Sequence, residues 1–213
     1  MKRKSAVTYS RIAMIAPIVL AMSAASSFAA ERFTAKLQPM NAGKIGTSTT
    51  GTATFEISDG KLTVSIDLAG LPRNMMHLQH FHGFPDGKAA SCPTDAADTN
   101  GDGYIDLAET EPSSGTTMVP FHAHPATLEI ASDTYPVADK SGVAHYTETV
   151  SVADLDAALK AKFKAPSLAL DKRVVFIHGV ANNPALPGSV KSLPGVPANI
   201  TIPIACGKIE AVK

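Results

Sequence analysis

The run "TATFEISDGKLTVSIDLAGL", which starts at Thr52, constrains the fold more than any other part of the chain. Ala53, Phe55 and Ile57, then Leu62, Val64, Ile66 and Leu68, recur at every second position. An α-helix places positions i and i+2 on different sides, whereas a β-strand lines them up on one face, so this period requires two half-buried strands. Between them sits Asp59-Gly60, a residue pair that reaches the positive φ of a two-residue hairpin turn at little steric cost. The pattern predicts an antiparallel hairpin and, with the residues from Phe33 onward, the start of an antiparallel sheet.

Later runs continue the same chemistry. "ATLEIA", "GVAHYTETV", "RVVFIHGV" and "ITIPIACGKIEAV" are rich in β-branched and aromatic residues, and fifteen prolines with fifteen glycines punctuate the gaps. The class is mostly β. One segment departs from it: in "SVADLDAALKAKF", Ser151 is placed to cap, and Leu155, Leu159 and Phe163 recur at helical spacing before Pro166. A single amphipathic helix packed on the sheet is expected. The stretch "NNPALPGSVKSLPGVP", residues 182–197, reads as an ordered long loop, because the strand carrying Cys206 must return to the same core.

The first residues have a different purpose. Lys2, Arg3, Lys4 and Arg11 precede the apolar run Ile12 to Met22, and small residues lead up to Ala29, which is the layout of a secretory signal peptide at 1–29 with cleavage after Ala29 or Ala30. A membrane anchor would need about twenty unbroken apolar residues. The expectation is an exported protein, periplasmic or extracellular, with no membrane association after cleavage. Residues 31–213 then form one domain, long enough for a substantial core. The leader holds four of the nineteen basic residues and none of the nineteen acidic ones, so the rest is mildly acidic, which argues against a nucleic-acid partner. Cys92 and Cys206 are the two cysteines, and export allows them to form one disulfide. The competing reading is a pair of unbonded buried thiols.

"DTNGDGYIDLAE", residues 98–109, has the pattern of an EF-hand-type calcium loop. Calcium takes six to eight oxygens, supplied in such loops from positions 1, 3, 5, 7, 9 and 12. Asp98, Asn100, Asp102, Asp106 and Glu109 stand at five of these, Tyr104 offers its carbonyl at position 7, and Gly103 permits the bend. The bland alternative is an acidic surface loop. Cys92-Pro93 lies just before and Pro112 just after, so no long helix is expected on either side, and the absence of a partner loop argues against a calcium sensor. A structural brace fits better.

Seven histidines complete the list of unusual features. His80 and His82 in "HLQHFHGF" are two apart, which on a strand points both imidazoles to one side. His122 and His124 in "PFHAHP" repeat the spacing, and His178 ends the apolar run "RVVFIHGV". Five imidazoles meeting in space would suit copper or zinc. His145 has no partner at ligand spacing and reads as structural.

These residues resemble the copper/zinc superoxide dismutase superfamily, an eight-stranded Greek-key β-sandwich. The shared blocks are "HFHGFPDGKAASC", an HxH strand followed by phenylalanine, aspartate and a cysteine; "VVFIHGV" with His178; and "IACGKI" with Cys206. The resemblance implies copper at His80, His82 and His178 with one of His122 or His124, and a Cys92–Cys206 bridge. It is closer to a copper-only variant, because the acidic loop occupies the region where the family carries its zinc ligands, and a full zinc site lacks donors here. Pro203 stands where the family places an arginine that guides the anionic substrate. The CHRD domains, a secreted β family with an HxHxG-like pattern, are matched nearly as well by "HFHG".

Two functions follow as expectations. One is a superoxide dismutase acting on a small anion, superoxide, which it converts to oxygen and hydrogen peroxide. The other is a non-catalytic secreted metal-binding or CHRD-like module. Both would be braced by calcium, and the sequence leaves the choice between enzyme and binder open, as it does the oligomeric state.

Overall fold

The computed structural model describes residues 30–165, 167–181 and 186–213, so the leader expected at 1–29 lies outside the described residues. Regular structure begins with β1 (Glu31–Pro39), a single turn of helix α1 (Ala42–Ile45), and the predicted hairpin of β2 (Thr50–Ser58) and β3 (Lys61–Ala69). Asp59 and Gly60 adopt φ of 51° and 71°, both left-handed, and Ser58 pairs with Lys61 across the turn. The alternation chose the register: Phe55 pairs with Val64 and Ala53 with Ile66, all buried on one face.

β4 (Gln79–Gly83) carries the first HxH pair, and β5 (Thr116–Pro120) runs beside it. Between them lie the acidic dodecapeptide and helix α2 (Leu107–Ser114). β6 (Ala144–Ser151) leads into helix α3 (Val152–Phe163), where the Ser151 hydroxyl accepts from the Asp154 N–H and Leu155 and Leu159 are buried, as the sequence required. β7 (Val174–His178), a short helix α4 (Ala198–Thr201), β8 (Pro203–Lys208) and β9 (Glu210–Ala211) complete the chain.

All strand pairs are antiparallel, in the order β5-β4-β7-β8-β1-β2-β3-β6 with β9 also on β1. β1 joins the two halves: residues 31–37 pair with β2, and Gln38 and Pro39 pair with β8. One apolar cluster includes Phe55, Ile66 and Tyr146 from one half and Phe81, Val175 and Ile204 from the other, so the sheet curls around a common core. A smaller cluster of Met40, Ala90, Ile105, Val174, Phe176 and Cys206 lies on the opposite face of β7 and β8. Strands β4 and β7 are therefore buried on both faces, which explains why they read as unbroken apolar or histidine-rich runs.

Cys92 and Cys206 form the expected disulfide, with Cα atoms 5.8 Å apart and a sequence separation of 114. It ties the loop after β4 to β8. No helix among the described residues is long and apolar enough to cross a membrane.

Two expectations need correction. "ATLEIA" is no strand: a 3-10 turn at Pro125–Thr127 ends with Leu128 at φ 54°, and Thr127 Oγ1 donates to the His124 carbonyl and accepts from the Glu129 N–H. Local side-chain hydrogen bonds replace ladder bonds there. The chain also holds more than the single helix expected: α2, eight residues long, starts inside the acidic loop at Leu107 and tolerates Pro112. The proline is the sixth residue of α2, and a capping box of Asp106 and Glu109 secures the helix at its start.

Candidate metal centre

His80 and His82 project from β4 to the side away from the main core, while Phe81 between them enters it. β7 lies alongside, with His80 opposite Phe176 and His82 opposite Val174. Val174, Phe176 and His178 share the outward face of β7, and the bulge between Ile177 and His178 ends the ladder there. The ring centroids are 4.7 Å apart for His80 and His178, 5.3 Å for His80 and His82, and 5.8 Å for His82 and His178. One ring nitrogen from each falls within 4.8 Å of the others, and all three residues are buried. Among the described residues this is the one cluster of such side chains that can hold a metal ion.

Burial sets the chemistry of the triad. It holds the His80 pKa well below the ordinary histidine value, with His178, His82 and His122 adding to the effect. Burial also lowers His82 to about 3 and His178 to about 4. At neutral pH the rings are uncharged, and a neutral imidazole offers a lone pair to a metal. His178 Nδ1 donates to the Thr201 carbonyl at 2.7 Å, which leaves Nε2 as the acceptor nitrogen, and that atom is buried without a partner. His80 Nδ1 is likewise buried and unpaired. His82 faces the Gly115 carbonyl with Nδ1 at 3.4 Å and the Thr117 hydroxyl with Nε2 at 3.0 Å. Two orphaned buried nitrogens beside a third imidazole are costly in an apolar setting, and a metal ion would satisfy them.

The second HxH pair behaves differently. His122 is buried, but its Nε2 donates to the Glu129 carbonyl at 2.8 Å and its Nδ1 accepts from the His124 N–H at 3.0 Å. His124 is exposed and lies outside the cluster. β5 ends at Pro120, so the period-two rule no longer governs residues 122 and 124. His145 is exposed and pairs with Asp67 at 2.6 Å, in keeping with a structural role. His77 is buried with both nitrogens against carbonyls, those of His178 and Pro72.

Two further residues lie beside the site, and sequence reasoning missed the first. Tyr135 packs edge-on to His122 and to His80, with centroids 5.0 and 6.4 Å away, and its buried hydroxyl has no partner. Arg173 is wholly buried beneath Gly83, and its guanidinium donates to the carbonyls of Leu168, Phe84 and Ser167. Tyr135 could not have been found by spacing, whereas Arg173 is legible as a basic residue five positions before His178 and only its burial was unforeseen.

In the dodecapeptide, Asp98 accepts from the N–H groups of Asp102 and Gly103, and Glu109 accepts from those of Thr99, Asn100 and Asp106. Asp102 accepts from the Tyr104 N–H and the Ser189 hydroxyl, the latter holding its carboxyl below the usual range. Asn100 accepts from the Asp102 N–H at 2.8 Å. The carboxylates thus fold the loop through backbone contacts.

No known protein-family model matches the chain, and no curated protein is significantly similar to it.

Proposed function

We propose that this is an exported copper protein of superoxide dismutase-like type, with His80, His82 and His178 as its copper ligands. The carrying observation is the convergence of three buried, neutral imidazoles, two of them with unpaired nitrogens. Imidazole donors without thiolates suit copper, and both cysteines are held in the disulfide. His122 is the nearest further donor, available only after it releases the Glu129 carbonyl. Zinc at a separate full site has no matching donor cluster among the described residues.

Bound copper would supply one-electron chemistry, oxidising one superoxide to oxygen and reducing the next, with two protons, to hydrogen peroxide. The chain's own contribution is positional. Phe176 packs against His82 with centroids 4.6 Å apart and against His178 at 5.6 Å, limiting ring rotation. The carbonyls of Thr201 and Gly115 fix the second nitrogens. The strand order supports the Greek-key sandwich reading, since β3 neighbours β6 and β4 neighbours β7, the crossovers such a fold requires. For the acidic loop we propose a bracing calcium ion, on the strength of its residue pattern.

A second reading has its own support. Among the described residues no cation faces the triad: the charges that act on its imidazoles are those of other histidines, Arg173 is held by carbonyls, and Lys88 lies over the Phe84 ring. Pro203 occupies the place of the family's guiding arginine. A non-catalytic copper-binding module, CHRD-like or otherwise, needs no steering charge.

Purified copper-loaded protein should remove superoxide faster than free copper at the same concentration, and His80→Ala should abolish the difference. Copper bound without any such excess favours the binding module. Native protein that carries zinc alone, or no transition metal, removes the copper reading.

A further inference from the structure

The acidic loop and the triad are joined by a continuous set of contacts that centres on one carboxylate. Asp106 is almost fully buried, at 1% exposure. Its Oδ1 accepts from the N–H groups of Ala108 and Glu109, which anchors the start of α2. The other end of that helix is capped by Gly115, whose carbonyl faces His82 Nδ1. Oδ2 of the same carboxylate accepts from the backbone N–H of Lys191. Next to Lys191, the Ser192 hydroxyl pairs with Thr201 Oγ1 at 2.8 Å, and the Thr201 carbonyl receives His178 Nδ1–H.

Two further ties hold these parts together. The Ser189 hydroxyl donates to Asp102, and the Asn41 amide bonds the carbonyls of Ile105 and Pro203 at 3.0 and 2.9 Å. The Ile202 carbonyl meanwhile receives the Gly179 N–H, one residue beyond His178. On the other side, Leu107, Thr110 and Glu111 of α2 line a cavity of about 150 Å³ with His82, Thr117 and Leu193. The segment 189–202 and helix α2 thus converge on the loop at one end and on two triad rings at the other.

We infer that Asp106 is a positioning residue for the metal centre: its two oxygens hold, through α2 and through the 189–202 segment, the carbonyls that fix the ring nitrogens of His82 and His178. The inference rests on the triad being the metal site. Its role differs from that of Asp98, whose side chain bonds only within the dodecapeptide. Substitution of a group that orients a ligand typically lowers metal affinity 10- to 100-fold.

Asp106→Asn keeps the shape and one acceptor for the α2 cap but places an amide opposite the Lys191 N–H. We expect about 10- to 100-fold weaker Cu(II) binding in competition with a chromophoric chelator, with an altered Cu(II) electron paramagnetic resonance spectrum. In the metal-free protein, long-range proton–nitrogen correlation should find His178 as a single Nδ1–H tautomer in wild type and a mixture in the variant. Ser192→Ala, which removes only the hydroxyl that ties the Lys191 segment to Thr201, should move the same readouts less far, and it serves if Asp106→Asn does not fold. Asp95→Asn, an exposed carboxylate outside the dodecapeptide, should leave the His178 tautomer unchanged. Wild-type affinity and a single His178 tautomer in the substituted proteins would overturn the inference, as would an equal loss in Asp95→Asn. Absence of copper binding in wild type would defeat the functional reading, while the tautomer comparison would still decide the positioning role.

Discussion

At the scale of single residues, a few buried polar groups carry the argument. His82 and His178 have folded pKa values of about 3 and about 4, against about 6.5 in an unfolded chain. A folded form that refuses protons which the unfolded chain accepts loses stability as the pH falls, here from about 6.5 downward until the folded rings titrate. Metal-free protein should therefore show a melting temperature that drops steeply between pH 6.5 and 4. Since each displaced unit is worth about 1.4 kcal/mol, His178→Gln, which cannot take up a proton, should flatten that profile. A flat wild-type profile would contradict the buried neutral triad. Gly83, which directly follows His82, offers a second test. A Cβ there would lie 2.3 Å from an Arg173 guanidinium nitrogen, and three carbonyls prevent that side chain from moving aside. Gly83→Ala should destabilise by about 1–3 kcal/mol in denaturant titration and disturb the neighbouring His82. An unchanged midpoint would mean that Arg173 is free to move.

At the scale of elements, legibility followed local rules. The β2–β3 hairpin and α3 were readable because alternation, turn residues and the Ser151 cap all act within a few positions. His80 and His82 were readable for the same reason, since the spacing of two acts inside β4. The rule failed at His122 and His124 because β5 stops at Pro120, a boundary set by pairing with β4 rather than by the residues that follow. "ATLEIA" failed because its backbone groups find side-chain partners nearby, and the carbonyls that orient His82 and His178 come from segments more than twenty residues away in sequence. Helix α2 starts inside the dodecapeptide, at Leu107, because the Asp106–Glu109 capping box is itself a local signal. If calcium braces the dodecapeptide, removal by EGTA should lower the melting temperature of His80→Ala, which lacks the copper site. A ligand at a hundred times its dissociation constant contributes about 2.7 kcal/mol. Paired Asp98→Asn and Glu109→Gln should abolish the response, and an unmoved melting curve in the parent would argue for an empty acidic loop.

At the scale of the whole molecule, the curled sheet explains why the site lies where it does. The main core fills the space within the curl, so the outward face of β4, β7 and β8 needs its own cover, and the long connections after β4 and β7 supply it. The disulfide fastens the first of these to β8. Reduction, or the double change Cys92→Ser and Cys206→Ser, should cost roughly 4 to 5 kcal/mol by the chain-entropy argument, read as a lower midpoint in guanidinium. Loss of less than about 1 kcal/mol would show that the loop is held by its other contacts. The pairing of β1 with β8 and β9 has a further consequence. Phe33 sits opposite Ala211, so the first and last described strands lie side by side. β1 precedes β8 and β9 in the chain with both halves of the sheet between them, so the seam closes only once those later strands have been made. The same adjacency makes residues 31–213 a good subject for circular permutation: a short linker from β9 to β1, with a new opening at Asp59-Gly60, would preserve every ladder while changing which half is made first.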